Sequence, residues 1–332
     1  LLYDRRVYDE SIEDYEESIL RSPDFPTVHR NLALAYYNVK KLPQRAYEEM
    51  EKAFALDETD ARVYLELDQL KKRLNVAVKE RWSDMEKHFD LVESRDDLYL
   101  EYVTLLNTLG EPEKALGLIK ARKFHQWEGG EGKVAAQYLT ALYQLAKAAV
   151  EKEDYAEAKE LLLRAVGEYP HNLGEGKLES GQENNLYYLL GLVQEKLGEA
   201  KDAFESLTRA CCGESEPVGM MYYNDQPPEM IYYQGLAYRM LGEEEQAVQR
   251  FCKLVDYGKE HIGDEIKIDY FAVSLPDLLI FEENLNERNR KHCLFMMSLG
   301  LRGLGQTDEA KACAEELLSM DNAHQGIRVH DL

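Results

Sequence analysis

Apolar residues recur along this chain at helical spacing, and the same pattern keeps returning. In Tyr187-Tyr188-Leu189-Leu190-Gly191-Leu192-Val193-Gln194, Leu197-Gly198, Ala203, Leu207 and Ala210, apolar and small residues outline two helix faces joined by a turn. The series Ile231, Gln234-Gly235, Tyr238, Leu241-Gly242, Ala247, Phe251 and Leu254 superimposes on it without a gap, 44 residues later. Further copies run through Leu142, Ala146, Ala158 and Ala165, through Tyr99, Leu106, Gly110 and Ala115, and through Leu294, Leu301, Gly305 and Ala310. A sixth runs through His29, Ala33, Tyr36, Ala46 and Ala53, with one extra residue in its turn.

This spacing resembles the tetratricopeptide (TPR) repeat, two helices joined by a short turn. The physical content of the pattern is independent of the resemblance. Ala33, Gly191 and Gly235 are small enough for two helix backbones to approach closely. Gly110, Gly198, Gly242 and Gly305 suit the left-handed residue that ends a helix. One such hairpin cannot bury its own apolar faces, so the copies must stack. The expectation is an all-α fold, a right-handed α-solenoid of about seven helical pairs with long inter-repeat insertions, and no β-sheet of more than two short strands within 1–255. A single array over 1–332 is expected, with repeats at 26–60, 61–95, 96–125, 138–171, 184–213, 228–257 and 291–322 and the longest insertion at 256–290. Residues 1–25 match only the second half of a repeat, through Ser11, Tyr15, Ser18 and Pro23, which places the partner helix upstream of residue 1. Residues 61–95 form a degenerate repeat whose packing falls to Trp82, Met85 and Phe89.

The insertions between repeats carry the candidate chemistry, because in a stacked array they line one edge. The first reads Phe124-His125-Gln126-Trp127-Glu128-Gly129-Gly130-Glu131-Gly132-Lys133. The second runs from His171 to Asn185 and contains Gly174-Glu175-Gly176-Lys177 and Gln182-Glu183-Asn184-Asn185. Gly-Glu-Gly-Lys thus occurs twice, one repeat apart, but without the spacing of a nucleotide P-loop. A third holds Asn224-Asp225-Gln226, and a fourth, over 269–277, is more apolar. Carboxylates, amides and an indole suit a polyhydroxylated ligand, so Trp127, Glu131, Lys133, Glu175, Lys177, Asn184, Asn185, Asn224, Asp225 and Gln226 are candidate binding residues. Trp127, Glu131, Lys133, Glu175, Lys177, Asn184, Asn185 and Asp225 are expected on one edge, the glutamates paired with Lys133 or Lys177. Glu128 with Glu131, or Glu175 with Glu179, are weak candidates for an acid and base, although loop glutamates are more often simply solvated.

A second candidate surface is the inner groove. The fifth position of three successive copies is Tyr143, Tyr188 and Tyr232, a ladder of rungs that serves either packing or peptide binding. Arg30, Tyr37, Asn38, Lys147, Glu195, Arg239, Phe295 and Arg302 fall at other groove positions, and Lys147 and Arg239 could clamp a carboxylate.

Charge narrows the partners. Lys+Arg 40 against Asp+Glu 63 gives a net charge of −23, which disfavours nucleic acid and anionic membranes. No apolar run reaches the roughly 20 residues of a membrane span. The chain opens Leu1-Leu2-Tyr3-Asp4 without the pattern of a signal peptide. Five cysteines without paired spacing argue against a disulfide framework and for a reducing, cytoplasmic setting. The histidines lack metal-ligand spacing, so neither a metal nor a cofactor is expected.

The strings from Trp127 to Lys133, from Leu173 through Asn185, and from Tyr223 to Met230 resemble those of large, mostly bacterial proteins of poorly defined function. In that family a β-rich domain of sugar-mutarotase type precedes a TPR region. The resemblance covers about 120–290 and implies a C-terminal part of such a protein. The cut first repeat, the mixed groove and the lack of a complete catalytic set lead to the expectation of a non-catalytic interaction scaffold that docks an upstream domain, or another protein, of basic character against the loop-rich edge. The alternative is an insertion edge that completes a sugar-binding or glycoside-processing site.

Overall fold

The computed structural model describes residues 2–3, 5–127, 129–177, 181–219, 225–267 and 280–330, and every regular element among them is helical. The helices form two compact units, Leu1–Leu105 with Asp277–Glu283, and Leu106–Pro276 with Asn284–Leu332.

The first unit begins with α1 (Tyr8–Arg21), which packs on the hairpin of α2 (Pro26–Asn38) and α3 (Pro43–Leu56). Proline at the first position starts both α2 and α3, where its missing N–H would have no partner anyway. The next first helix, α4 (Ala61–Arg73), is capped by Asp60, whose carboxylate accepts the N–H of Arg62 and Val63 at 2.9 and 3.1 Å. Its expected partner helix is split at His88 into α5 (Val78–Lys87) and α6 (Phe89–Ser94). Met85 fills the core as expected, joined by Val92 and by the fully buried Arg81, while Trp82 is only half-buried. The helix α7 (Asp96–Thr108) closes the unit and runs through its boundary.

Arg81 is the charge this unit must satisfy. Its guanidinium donates two bonds to Asp68, at 3.0 and 2.6 Å, and a third to Glu101 at 2.7 Å, which Lys72 also reaches. Desolvation pushes the Asp68 carboxyl up despite the guanidinium beside it. Burial acts the same way on Glu101, but Lys72 and Arg81 outweigh it and hold that carboxyl down at about 2.

The second unit stacks its hairpins in order. They are α8 (Pro112–Ala121), α9 (Lys133–Glu151), α10 (Tyr155–Val166), α11 (Asn184–Lys196), α12 (Ala200–Ala210), α13 (Pro228–Met240), α14 (Glu244–His261), α15 (Leu285–Gly303) and α16 (Thr307–Met320), followed by the short α17 (Gln325–Val329). Each helix from α8 to α15 packs on its successor, and first helices also meet first helices, α11 on α13 and α13 on α15. The small residues expected at the crossings are buried: Ala115, Ala158 and Ala247 at 0%, Ala203 at 4% and Ala310 at 5% exposure. Gly198 turns the chain between α11 and α12 at φ +79, a conformation that strains any residue with a Cβ. Where α15 crosses α14, a Cβ on Gly300 would stand 2.6 Å from the carbonyl oxygen of Phe251. The backbones are therefore in contact there, with no room for a methyl group.

Gly300→Ala should lower the urea midpoint by the equivalent of about 1–3 kcal/mol, because backbone must move to admit the methyl. Gly117→Ala, on the open face of α8 with nothing near its Cβ position, should raise stability by about 1 kcal/mol. A neutral or stabilising Gly300→Ala would show that the two helices leave room for a methyl group at the crossing.

The Glu101 carboxyl ionises at lower pH in the folded chain than in the unfolded chain. Its contribution is therefore present above the ordinary glutamate range and lost as pH falls toward 2. Glu101→Gln should remove on the order of 2–3 kcal/mol at neutral pH and flatten the acid limb of the stability curve. Urea melts across that pH range would measure both effects.

Candidate functional site

The first two insertions meet in the second unit and are laced by backbone. The N–H of Phe124 donates to the carbonyl of Asn172 at 2.8 Å. The Asn172 side-chain amide in turn donates to the carbonyls of Ile119 and Arg122, at 2.7 and 2.9 Å, beside the end of α8. Gly174 turns at φ +78 directly under this junction; a Cβ there would stand 2.7 Å from the Phe124 carbonyl oxygen. These contacts fold the two loops around a cleft of about 310 Å³, lined by His125, Gln126, Trp127, Gly130, Glu131, Val134, Leu173 and Glu175. The volume lies at the small end of ligand pockets.

Of the residues expected to converge, Trp127, Glu131 and Glu175 line this cleft. The Trp127 indole lies on Gly130, so close that no side chain fits between them. Glu175 does not pair with a lysine, contrary to the expectation from charge. Its two oxygens accept the N–H groups of Gly132 and Ala135, at 2.7 and 2.8 Å, and so satisfy the otherwise orphaned start of α9. A carboxylate at a helix N-terminus also meets the favourable end of the helix dipole, which explains why backbone amides win over a lysine. Lys177 turns instead to the carbonyl of Val166 at 2.5 Å and to Glu183 at 2.8 Å. Burial pushes the Glu183 carboxyl up, and Lys177 opposes that shift. Lys133 is exposed at the first turn of α9. Glu128 and Glu179 lie outside the described residues, as does Asn224.

The remaining amides serve the next junction rather than this cleft. Asn184 donates to the carbonyls of Ala210 and Cys212 at 2.8 and 2.7 Å, at the end of α12. Gln226 donates to the Glu214 carbonyl at 3.0 Å, and Gln234 to both Cys212 and Glu214. Asn185 is half-buried beside Asn184, and Asp225 is half-buried at the start of the third junction. Asn184 thus fastens the start of α11 to the end of α12, and Gln226 and Gln234 hold the chain that follows α12. The fourth insertion, at 269–277, falls outside the described residues.

The tyrosine ladder has a covered face. Tyr143 and Tyr232 are buried, and Tyr188 is half-buried. What joins them is Tyr233, which sequence reasoning passed over in favour of its neighbour. Its hydroxyl lies 2.6 Å from that of Tyr143 and 2.9 Å from Nδ1 of His330, and its ring packs at 5.5 Å from Tyr188. Burial, then the adjoining Tyr143, raises its phenol far above the ordinary range. Lys147 donates to the carbonyl of Val329 at 2.9 Å, and Gln137 and Gln325 bond through their side-chain amides at 3.0 Å. On the far side His324 meets Phe295 edge-on at 4.8 Å. The helix α17 therefore lies on side chains of α9, α13 and α15, with Ile327 and Val329 buried beneath it. No motif in 321–330 announces this role; only the alternation of apolar residues at 327 and 329 hints at it. Arg239, the expected carboxylate clamp, grips Glu244 in a fork at 2.9 and 2.7 Å and the Gly303 carbonyl at 2.8 Å.

Two segments of the chain, residues 143–217 and 292–324, match the tetratricopeptide repeat family. The fold is similar to several solved structures, all distant in sequence. PilW, a widely conserved type IV pilus biogenesis factor, is 13% identical, with 70% of this chain and 92% of that one aligned and a TM-score of 0.37. YrrB, a TPR protein with an unusual peptide-binding site, is 18% identical over 75% of this chain and 98% of its own, with a TM-score of 0.26. Yeast Tom70 is 10% identical over 98% of this chain and 58% of its own, at a TM-score of 0.38. Among the described residues no helix is long and apolar enough to cross a membrane.

Glu175→Ala should cost about 1–2 kcal/mol by unpairing two amides at the start of α9. Trp127 is one of two tryptophans, so a Trp82→Phe background isolates its emission. In that background Glu175→Ala should redden and weaken the Trp127 fluorescence. Unchanged emission together with unchanged stability would remove Glu175 from its capping role.

Proposed function

We propose that this chain is a non-catalytic interaction module whose stacked hairpins hold polypeptide. The observation that carries the reading is α17 with its flanking histidines, a stretch of chain held across α9, α13 and α15 by Tyr233 on His330, Lys147 on Val329, Gln137 on Gln325 and Phe295 on His324. Lysine to a main-chain carbonyl is a contact any peptide offers, whereas the Gln137–Gln325 amide pair and the Tyr233–His330 bond read particular side chains. With that face filled from within, the insertion edge around Trp127 is the surface offered to a partner in trans. The partner is an upstream domain of the same polypeptide or a separate protein. At a net charge of −23 the chain favours a partner with a basic docking face.

A photo-crosslinking residue at the exposed Gln126 should trap a protein partner in the native cell extract, with yield falling as salt rises. The same probe at Leu163, on the exposed side of α10, supplies the background level. Equal, salt-independent yields at both positions would overturn the reading.

A carbohydrate role for the edge is the second reading, and the cleft beside the Trp127 indole favours it. The engagement of both Glu175 oxygens by α9 weighs against that carboxylate as a proton donor. Saturable quenching of Trp127 by a sugar, lost in Glu131→Gln, would support this reading over the scaffold alone.

A further inference from the structure

The first unit contains a short stretch of chain seated on the ends of α2 and α4. Asn38, the last residue of α2, uses both ends of its side-chain amide: Nδ2 donates to the Ile280 carbonyl at 2.8 Å, and Oδ1 accepts the Glu282 N–H at 2.9 Å. Bonding a carbonyl and an N–H two residues apart grips the main chain irrespective of side chains, here where it bends at Ile280 and Phe281. Arg73, the last residue of α4, donates from Nη2 to the intervening Phe281 carbonyl at 2.8 Å. Three consecutive residues are thus held by backbone, from two successive first helices.

Side chains supply the selectivity. Phe281 is 1% exposed and meets Tyr37 edge-on, with ring centroids 5.1 Å apart. An aromatic ring buried to this degree is the strongest anchor a short segment can offer. Glu282 pairs with Lys41 at 2.6 Å, but both side chains are about two-thirds exposed, so the pair steers more than it holds. Asn38 and Tyr37 are positions that the repeat pattern assigns to a binding groove, whereas the seated residues come from the insertion between α14 and α15.

We infer that the α2–α4 surface is a peptide-reading site for a bent segment with phenylalanine followed by an acidic residue, occupied by the chain's own Ile280–Glu283. An external segment of the same chemistry binds by displacing it. The inference rests on the interaction-module reading and adds the chemistry of one partner and its control. A tethered occupant acts at an effective concentration in the millimolar range, so the site is closed to weak ligands and opens to strong ones. The apparent affinity of any external peptide is reduced by the fraction of time the site is empty.

The test uses the full chain and a fluorescent peptide with the sequence of residues 277–284, followed by anisotropy. Phe281→Ala weakens the internal occupant and leaves the receptor surface whole, so this variant should bind the peptide about tenfold or more tighter than the unaltered chain. Adding Asn38→Ala should abolish the gain, and Arg73→Gln should do so independently if Asn38→Ala disturbs α2. A peptide carrying alanine in place of its phenylalanine should not bind. Equal affinity for the unaltered chain and Phe281→Ala, or no saturable binding to either, overturns the inference. So does a gain that survives both receptor substitutions. Failure here with crosslinking at Gln126 intact sinks this site alone, whereas loss of both sinks the module reading beneath it.

Discussion

A helical hairpin of this length has an apolar stripe on each helix and a partner for only part of it, so every hairpin must give its remaining apolar surface to a neighbour. That constraint dictates the small residues at the crossings. Burial grows with the closeness of approach, and closeness is limited by whatever stands on the Cα atoms at the crossing. Alanines at 46, 115, 158, 203, 247 and 310 are buried because larger residues there would hold the helices apart. Gly300, against the carbonyl of Phe251, is the extreme case, where helix meets helix without a side chain between.

Stacking hairpins creates a second requirement at their ends. Each helix leaves unpaired N–H groups at its start and carbonyls at its end, and close neighbours restrict water from reaching them. The long insertions meet much of that demand. Asn172 takes carbonyls beside the end of α8, Glu175 the amides opening α9, and Asn184 the carbonyls at the end of α12. The polar residues that make these loops resemble a ligand site are in large part ligands of the protein's own backbone. The cleft beside Trp127 is what remains open once those bonds are made.

The same economy marks the groove positions. In the second unit Tyr233 and Lys147 hold the segment of α17 and His330, and in the first Asn38 and Arg73 hold Ile280–Glu282. In both, side chains suited to gripping a peptide grip the chain itself. A surface built to satisfy main-chain groups from any source is satisfied first by the source that is tethered to it.

The helical hairpins, their order and their crossing residues were legible in the sequence, because a repeat writes the same local demand several times. Helix period, turn glycine and small crossing residue are each set by neighbours three to eight places away. The degenerate stretch at 61–95 was legible as an irregularity, but the split at His88 and the burial of Arg81 were not. A buried guanidinium depends on Asp68 and Glu101 arriving from two other helices. The loops were legible as polar and unusual, yet which polar groups stayed available was not. Glu175 carries no local sign that its partners are the amides of Gly132 and Ala135, some forty residues away. Nor does Tyr233 differ in sequence from Tyr232, although it is Tyr233 whose hydroxyl meets both Tyr143 and His330. Periodicity fixes which face of a helix is apolar, but the pairing of polar groups is decided by distances between segments remote in the chain, and those exist only in the folded molecule.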